Sequence, residues 1–204
     1  MRFRKSRVLL AGVGVLLLSG IAVYFAYAKT DRTIPPLGDE DRKLLQEFQS
    51  LPDESRLSIA PDDEPGERLQ LAMTFVDKAT GQPLLGRHVH FYHASLAGEY
   101  EPQVPADEST ARLSADAITD AAGRVFVETI LPGDYGSSDD NRHIHTTVRN
   151  ARPEAYDIHF SQYSTFMLRN FVAGSDQHFL ATLWQTEDGR LTCFVTVEVK
   201  LADD

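Results

Sequence analysis

One cysteine, Cys193, is all that the 204 residues contain. A single thiol excludes an internal disulfide and any thiolate metal cluster. Positive charge is also in short supply. Twenty Lys and Arg stand against 30 Asp and Glu, a formal net charge of −10. A phosphate backbone repels such a surface and no basic stripe offsets the repulsion, so nucleic acid is excluded as a partner. No internal repeat or low-complexity tract is present, and the length suits one domain with appendages.

Long apolar runs are absent but for one. Residues 8–28 hold 21 positions without a charge, directly after Arg2, Arg4, Lys5 and Arg7. That length spans a bilayer core as a helix, so residues 1–28 are expected to be a transmembrane anchor or a signal segment. Ala26-Tyr27-Ala28 has the small-residue form of a cleavage site, whereas the length of the run favours an uncleaved anchor with Tyr24 and Tyr27 at the interface. The basic flank stays cytoplasmic under the positive-inside rule. The rest is thus expected outside the cytoplasm, tethered to the membrane or, after cleavage, secreted. Residues 29–204 then carry 16 basic and 30 acidic side chains.

Residues 29–67 are acidic and broken by Pro35, Pro36, Pro52, Pro61 and Pro65, which predicts a linker. Leu44, Leu45 and Phe48 give it one short amphipathic helix between Asp39 and Ser50. From Arg68 the period becomes two. Leu69, Leu71, Met73 and Phe75 alternate with polar or small residues, as do Val89 and Phe91, and Cys193, Val195, Val197 and Val199. Turn residues separate these runs at Thr80-Gly81-Gln82-Pro83, Asp120-Ala121-Ala122-Gly123 and Glu187-Asp188-Gly189. Short strands without helical patterns between them predict an all-β fold over residues 68–204, an antiparallel β-sandwich.

His143-Ile144-His145 lies in one such strand. Residues i and i+2 share a face, so the two imidazoles project together and can chelate a metal. A second pair, His88 and His90, with His93 close behind, has a plainer reading: the solvent face of a strand whose other face is Val89 and Phe91.

The text around His143 carries more. Val76-Asp77 is followed by Gly81-Gln82-Pro83-Leu84, then by Tyr92-His93-Ala94 and Gly98-Glu99-Tyr100. Thr119-Asp120, Gly123-Arg124, Thr129-Ile130, Pro132, Tyr135 and His143-Ile144-His145 complete the series. In order and spacing, residues 68–160 resemble the intradiol ring-cleavage dioxygenases of the catechol and protocatechuate type. The resemblance implies a prealbumin/transthyretin-like sandwich and one Fe(III) held by Tyr100, Tyr135, His143 and His145. It implies a catecholic substrate and O2, with the ring opened between its hydroxyl-bearing carbons and no nicotinamide cofactor. By position Tyr135 is the tyrosine that leaves the iron when substrate chelates it, and its released phenolate helps to accept a substrate proton.

Two departures stand out. Where the family has an arginine three residues before the first histidine, this chain has Asp140, leaving Arg142 as the candidate for that catalytic role. On a regular strand Arg142 points away from His143, and a bulge would be needed to turn it. The family's glutamine on the following strand is not matched either, since Tyr156-Asp157-Ile158-His159-Phe160 stands there. Two other classes compete. The hairpin and the Thr119–Tyr135 stretch also look like carboxypeptidase-regulatory or transthyretin-like binding modules, which need neither the histidine pair nor Tyr100. A cupin-like oxygenase would use His88, His90, His143 and His145, but would normally place a glutamate soon after its H-x-H, and none follows His145 until Glu154.

Overall fold

The computed structural model describes residues 32–135 and 140–202. Arg32–Asp204 forms one compact unit. Among the described residues are ten strands and two α-helices: α1 (Asp39–Gln49), β1 (Arg56–Ser58), β2 (Arg68–Asp77), β3 (His88–His93), β4 (Leu113–Ile118), β5 (Arg124–Ile130), β6 (Asn141–Val148), β7 (Ala155–Ser164), α2 (Phe166–Ala173), β8 (His178–Ala181), β9 (Trp184–Gln185) and β10 (Leu191–Val199). They make two five-stranded sheets, ordered β1-β5-β2-β10-β9 and β4-β3-β6-β7-β8.

The all-β character agrees with the period-two pattern. Leu69, Leu71, Met73 and Phe75 of β2 face Val89 and Phe91 of β3, Ile144 and Val148 of β6, and Ile158 and Phe160 of β7 across one buried core. Burying a side chain of this size contributes about 1.5–3 kcal/mol.

Two expectations need correction. First, the fold is not a sandwich behind a demonstrated membrane helix. Among the described residues no helix is long and apolar enough to cross a membrane. The two α-helices have 11 and 8 residues, against the roughly 20 that a span requires. The run at residues 8–28 lies outside the described residues.

Second, the sheets are mixed rather than antiparallel. β10 runs parallel to β2, β1 to β5, and β8 to β7. The reason is connectivity: hairpins force antiparallel pairs, but these strands meet through long excursions, and β7 reaches β8 through α2.

Residues 32–67, read as a linker whose helix packs on the domain or floats, are packed on it. Leu37, Leu45, Phe48 and Leu51 are buried with Ala72 and Phe126 on the outer face of the first sheet. Phe48 meets Phe194 edge to face, with ring centroids 6.5 Å apart. β1 adds an edge strand in register with β5. The prolines break helices without preventing this packing, since each short piece has an apolar side to bury.

Candidate metal centre

The outer face of the second sheet carries polar and aromatic side chains. On β3 the core side is Val89, Phe91 and His93, all fully buried, while His88, His90 and Tyr92 alternate to the other side. On β6, Ile144, Thr146 and Val148 are buried, and His143 and His145 lie on the same side as Tyr92. Tyr92 is opposite His145 in the ladder, and the two rings stack with centroids 4.6 Å apart.

Two loops bring in the tyrosines. The segment after β3 turns at Gly98, where φ is +81°, and any side chain there would lie 2.3 Å from the Asp134 carbonyl oxygen. A side chain at Gly133 would lie 2.2 Å from the Leu96 carbonyl oxygen. These two glycines let the loops touch, and the Gly133 N–H donates to the Ser95 carbonyl at 3.0 Å. The closeness sets Tyr100 and Tyr135 edge to face, centroids 5.3 Å apart. Tyr135 stands 6.3 Å from His143, also edge to face. Tyr100, Tyr135, His143 and His145 are thus brought together, although they come from one strand and two separate loops.

The hydrogen bonds assign the ring tautomers. His143 Nδ1 is 3.0 Å from the Asn141 carbonyl and His145 Nδ1 is 2.7 Å from Asp157 Oδ1. Both partners only accept, so both Nδ1 atoms carry the proton and both Nε2 atoms present a lone pair. Those two Nε2 atoms face each other at 3.1 Å, with the Tyr100 hydroxyl 2.8 Å from His145 Nε2. The protonated Tyr100 hydroxyl can donate to His145 Nε2, and a cation among the three atoms would accept all three lone pairs instead. The donors therefore fit a metal of the imidazole- and phenolate-binding kind.

Electrostatics agree. Burial pushes the Tyr100 hydroxyl well above the ordinary tyrosine range, helped by the charge of Glu108. Without a cation this phenol stays protonated. Burial and the neighbouring His145 hold His143 below the usual imidazole value, so it is a neutral ligand at neutral pH. Burial raises Asp157, but the hydrogen bond from His145 and the charges of His145, His143 and His178 outweigh it, and the carboxyl sits low. Asp157 is therefore an anion beneath His145, the arrangement that orients a metal-bound imidazole and raises its basicity. Tyr135 is 39% exposed. Its hydroxyl donates to Glu108 Oε1 at 2.9 Å, and that bond raises its pKa.

Arg142 sits at an irregularity of β6 and packs on the Tyr163 ring. The β6–β7 register shifts between Asn141 and His143. The Arg142 guanidinium lies 4.3 Å over the Tyr163 ring and 3.5 Å from Asp134. Asp140 is ion-paired with Arg32, which lies 5.5 Å from the same Tyr163 ring.

Of the remaining β3 histidines, His88 is exposed, while His90 and His93 are otherwise engaged. His90 is held by Asp116 Oδ1 at 3.1 Å and the Ser109 carbonyl at 2.8 Å. His93 bonds across the sandwich to Thr129 Oγ1 at 2.7 Å and to the Ala94 carbonyl at 2.8 Å. An all-histidine site of cupin type is not assembled among the described residues.

Four polar residues near the centre escaped the sequence reading of the site: Glu108, Asp157, His159 and His178. Asp157 and His159 had a readable signal, polar residues alternating with Tyr156, Ile158 and Phe160 on a strand. Glu108 and His178 had none, since only the folded loop and the β7–β8 pairing bring them close.

Comparison with known proteins bears on the family and the fold. The family model described as Dioxygenase matches residues 47–190. An intradiol ring-cleavage dioxygenase from Tetranychus urticae is 20% identical, with 74% of this chain and 89% of that one covered and a TM-score of 0.53. The dioxygenase domain of a dioxygenase–carbohydrate-binding fusion from Streptomyces sp. SirexAA-E is 19% identical, with coverage of 74% and 93% and a TM-score of 0.53. Catechol 1,2-dioxygenase from Pseudomonas arvilla C-1 is 20% identical, with coverage of 74% and 57% and a TM-score of 0.56. At these identities the structures share the fold. No curated protein sequence matches the chain. The family match spans well over half the chain, and by it the chain belongs to the intradiol ring-cleavage dioxygenase family.

Proposed function

We propose that this protein is an Fe(III)-dependent intradiol dioxygenase that opens a catecholic ring between its two hydroxyl-bearing carbons, placing both atoms of O2 in a dicarboxylic product. The carrying observation is the pair of imidazole lone pairs facing each other at 3.1 Å with a buried phenol at 2.8 Å. A transthyretin-like binding module has no use for that arrangement.

Tyr100, Tyr135, His143 and His145 would hold the ion. Bound there, ferric iron supplies a hard Lewis acid that draws electron density from a chelated catecholate and makes its ring reactive towards dioxygen. The remaining work falls to the chain. Tyr100 is buried and ionises only against a cation, so its ligation is coupled to metal loading. Asp157 accepts the His145 Nδ1 proton, which keeps the other nitrogen free to ligate. Tyr135 is the mobile member of the set. Its ring stands beside Tyr100 and His143, and its hydroxyl reaches Glu108. When a substrate takes its place, the Tyr135 oxygen accepts a catechol proton, and Glu108 receives the resulting hydroxyl as a hydrogen-bond donor. Arg142, packed on Tyr163 and beside Asp134, which precedes Tyr135, would contribute positive charge that steadies the anionic reacting substrate.

Ferric loading of the full chain tests the proposal. The expected result is one iron per chain and a red-brown tyrosinate band, shifted or bleached in both Tyr100→Phe and Tyr135→Phe. Catechol should change the band and then consume one O2 per dicarboxylic acid formed, with no reductant added. A colourless protein after loading overturns the iron reading, and a coloured protein that no catechol perturbs overturns the enzyme reading.

A further inference from the structure

The four donors above do not use up the ligating side chains of this face. Asp157 and His159 stand two residues apart on β7, both on the outer side of the strand, and His178 opens β8, directly opposite Asp157 in the parallel ladder. One donor atom from each of the three lies within 4.8 Å of the other two. His159 Nε2 is 3.1 Å from His178 Nδ1, and His178 Nδ1 is 3.4 Å from Asp157 Oδ2. Two nitrogen or oxygen donors at about 2.0–2.1 Å from a tetrahedral ion stand about 3.4 Å apart. The two spacings from His178 are therefore close to those around a bound ion, and Asp157 and His159 stand within 4.8 Å of each other.

The three residues are also held for the task. His159 is buried, with its ring 5.2 Å from that of His143. The Phe171 ring of α2 packs on His178 edge to face at 4.8 Å, fixing the imidazole plane. The His178 side chain is 22% exposed, which gives an ion a way in from solvent. Asp157 supplies the negative charge through Oδ2, while its Oδ1 is taken by the His145 Nδ1 proton. This carboxylate therefore touches both groups of donors.

We infer that Asp157, His159 and His178 form a second metal site, which takes a divalent first-row cation such as Zn2+ through two imidazoles and one carboxylate and communicates with the first centre through Asp157. Two histidines and a carboxylate leave at least one position open on such an ion. A cation on Oδ2 withdraws charge from the carboxylate, weakens its hold on the His145 proton and so weakens His145 as a donor to the first centre. The site goes beyond the dioxygenase reading and does not depend on it.

Zn2+ titration followed by calorimetry and metal analysis tests the inference on the full chain, both loaded with ferric iron and iron-free. The iron-loaded wild type is expected to bind one Zn2+ with a shift of its visible band. His178→Ala and His159→Gln should bind Zn2+ at least 100-fold more weakly and keep their iron band unshifted by Zn2+. His178 lies partly exposed on a short strand, so His178→Gln is a second, milder variant should the alanine protein misfold. In the iron-free chain the His178-dependent equivalent should remain when His143→Ala has emptied the first centre. A chain that takes no ferric iron but keeps this equivalent defeats the iron reading alone. Equal Zn2+ binding by wild type and His178→Gln, or none at submillimolar Zn2+, overturns the second site and leaves the first untouched.

Discussion

The two sheets share one core and use their outer faces in opposite ways. The outer face of the first sheet carries an apolar patch, bordered by the hydrogen-bonded Gln70 and Glu128. Ala72, Phe126, Phe194 and Trp184 project there and are covered by Leu37, Leu45, Phe48 and Leu51 from α1 and its flanks. The outer face of the second sheet presents Tyr92, His143, His145, Asp157 and His159, which are bonded to or stacked on one another. Both faces are largely shielded from water, but by different means. The apolar patch is held by area, and its side chains tolerate exchange for others of like volume. The second face is held by directed contacts, such as those joining His143, His145, Tyr100 and Asp157, whose partners would be stranded by their loss. Polar atoms removed from water and aimed at one another are what a binding centre requires.

The largest effect should follow from breaking the second face at its middle. His145→Ala removes a donor, strands Asp157 and empties the stack on Tyr92. Stoichiometric ferric binding should be lost altogether, as read by metal analysis after loading. His90→Ala, on the same face but bonded to Asp116 and Ser109, should keep full stoichiometry. Equal loss in the two variants would mean that the whole face, rather than one cluster on it, makes the site.

The opposite experiment breaks the first face. Phe48 is 4% exposed and wedged between Phe194 and the Arg124 guanidinium. Phe48→Ala should cost about 3–5 kcal/mol of stability by denaturant unfolding. The protein that remains folded should bind iron as the wild type does. Reduced iron stoichiometry in folded Phe48→Ala would show that the two faces are not independent.

How much of this was legible depends on the range of the interaction that decides it. The strands were legible because alternation is local, as at Leu69–Phe75 and Cys193–Val199. The shared face of His143 and His145 followed from the same rule. The order of Tyr100, Tyr135 and the histidine pair was legible only as a pattern, since glycine contacts at 98 and 133 close the loops in space. The parallel pairing of β10 with β2 left no mark in either strand, so the expectation of an antiparallel sheet failed. The packing of residues 32–67 was hidden for a related reason: Leu45 and Phe48 announce an amphipathic helix but not the sheet that receives it. His178 is the extreme case, a lone histidine placed beside Asp157 only by the turn through α2.

His93 sharpens the contrast from inside the core, because it is a histidine on β3 that faces the first sheet. Burial drives its pKa from 6.5 down to about 4. Between these values the unfolded chain binds a proton that the folded chain refuses. The stabilising contribution is therefore whole above pH 6.5 and is lost as the pH falls to 4. A difference of this size corresponds to about 3 kcal/mol. Unfolding at pH 7 and pH 4 should show His93→Gln losing about that much less than the wild type over the same interval. The glutamine still reaches Thr129 but cannot take the proton. An identical pH dependence in the two proteins would mean that His93 escapes burial on acidification.

Arg142 offers the smallest and most local test of how the second face differs from the first. On the first face a bulge would only disturb packing. At Asn141–His143 it accompanies a charged side chain that packs on the buried Tyr163 ring. The guanidinium is only 3.5 Å from Asp134, so part of its field is already spent. Loss of a fully committed transition-state donor costs about 100–1,000-fold in kcat, and this partly neutralised one should cost less. Arg142→Ala is expected to keep the iron band and the catechol-induced change while lowering the rate of ring opening about tenfold, or about 1.4 kcal/mol of barrier. Arg142→Lys should recover part of that rate, since it keeps the charge but loses the flat stack on Tyr163. A change in catechol binding without a change in turnover would make Arg142 a docking residue. No change in either would assign the bulge to β6–β7 pairing alone, and the charge for the reacting ring would then have to come from the Arg32 side of Tyr163.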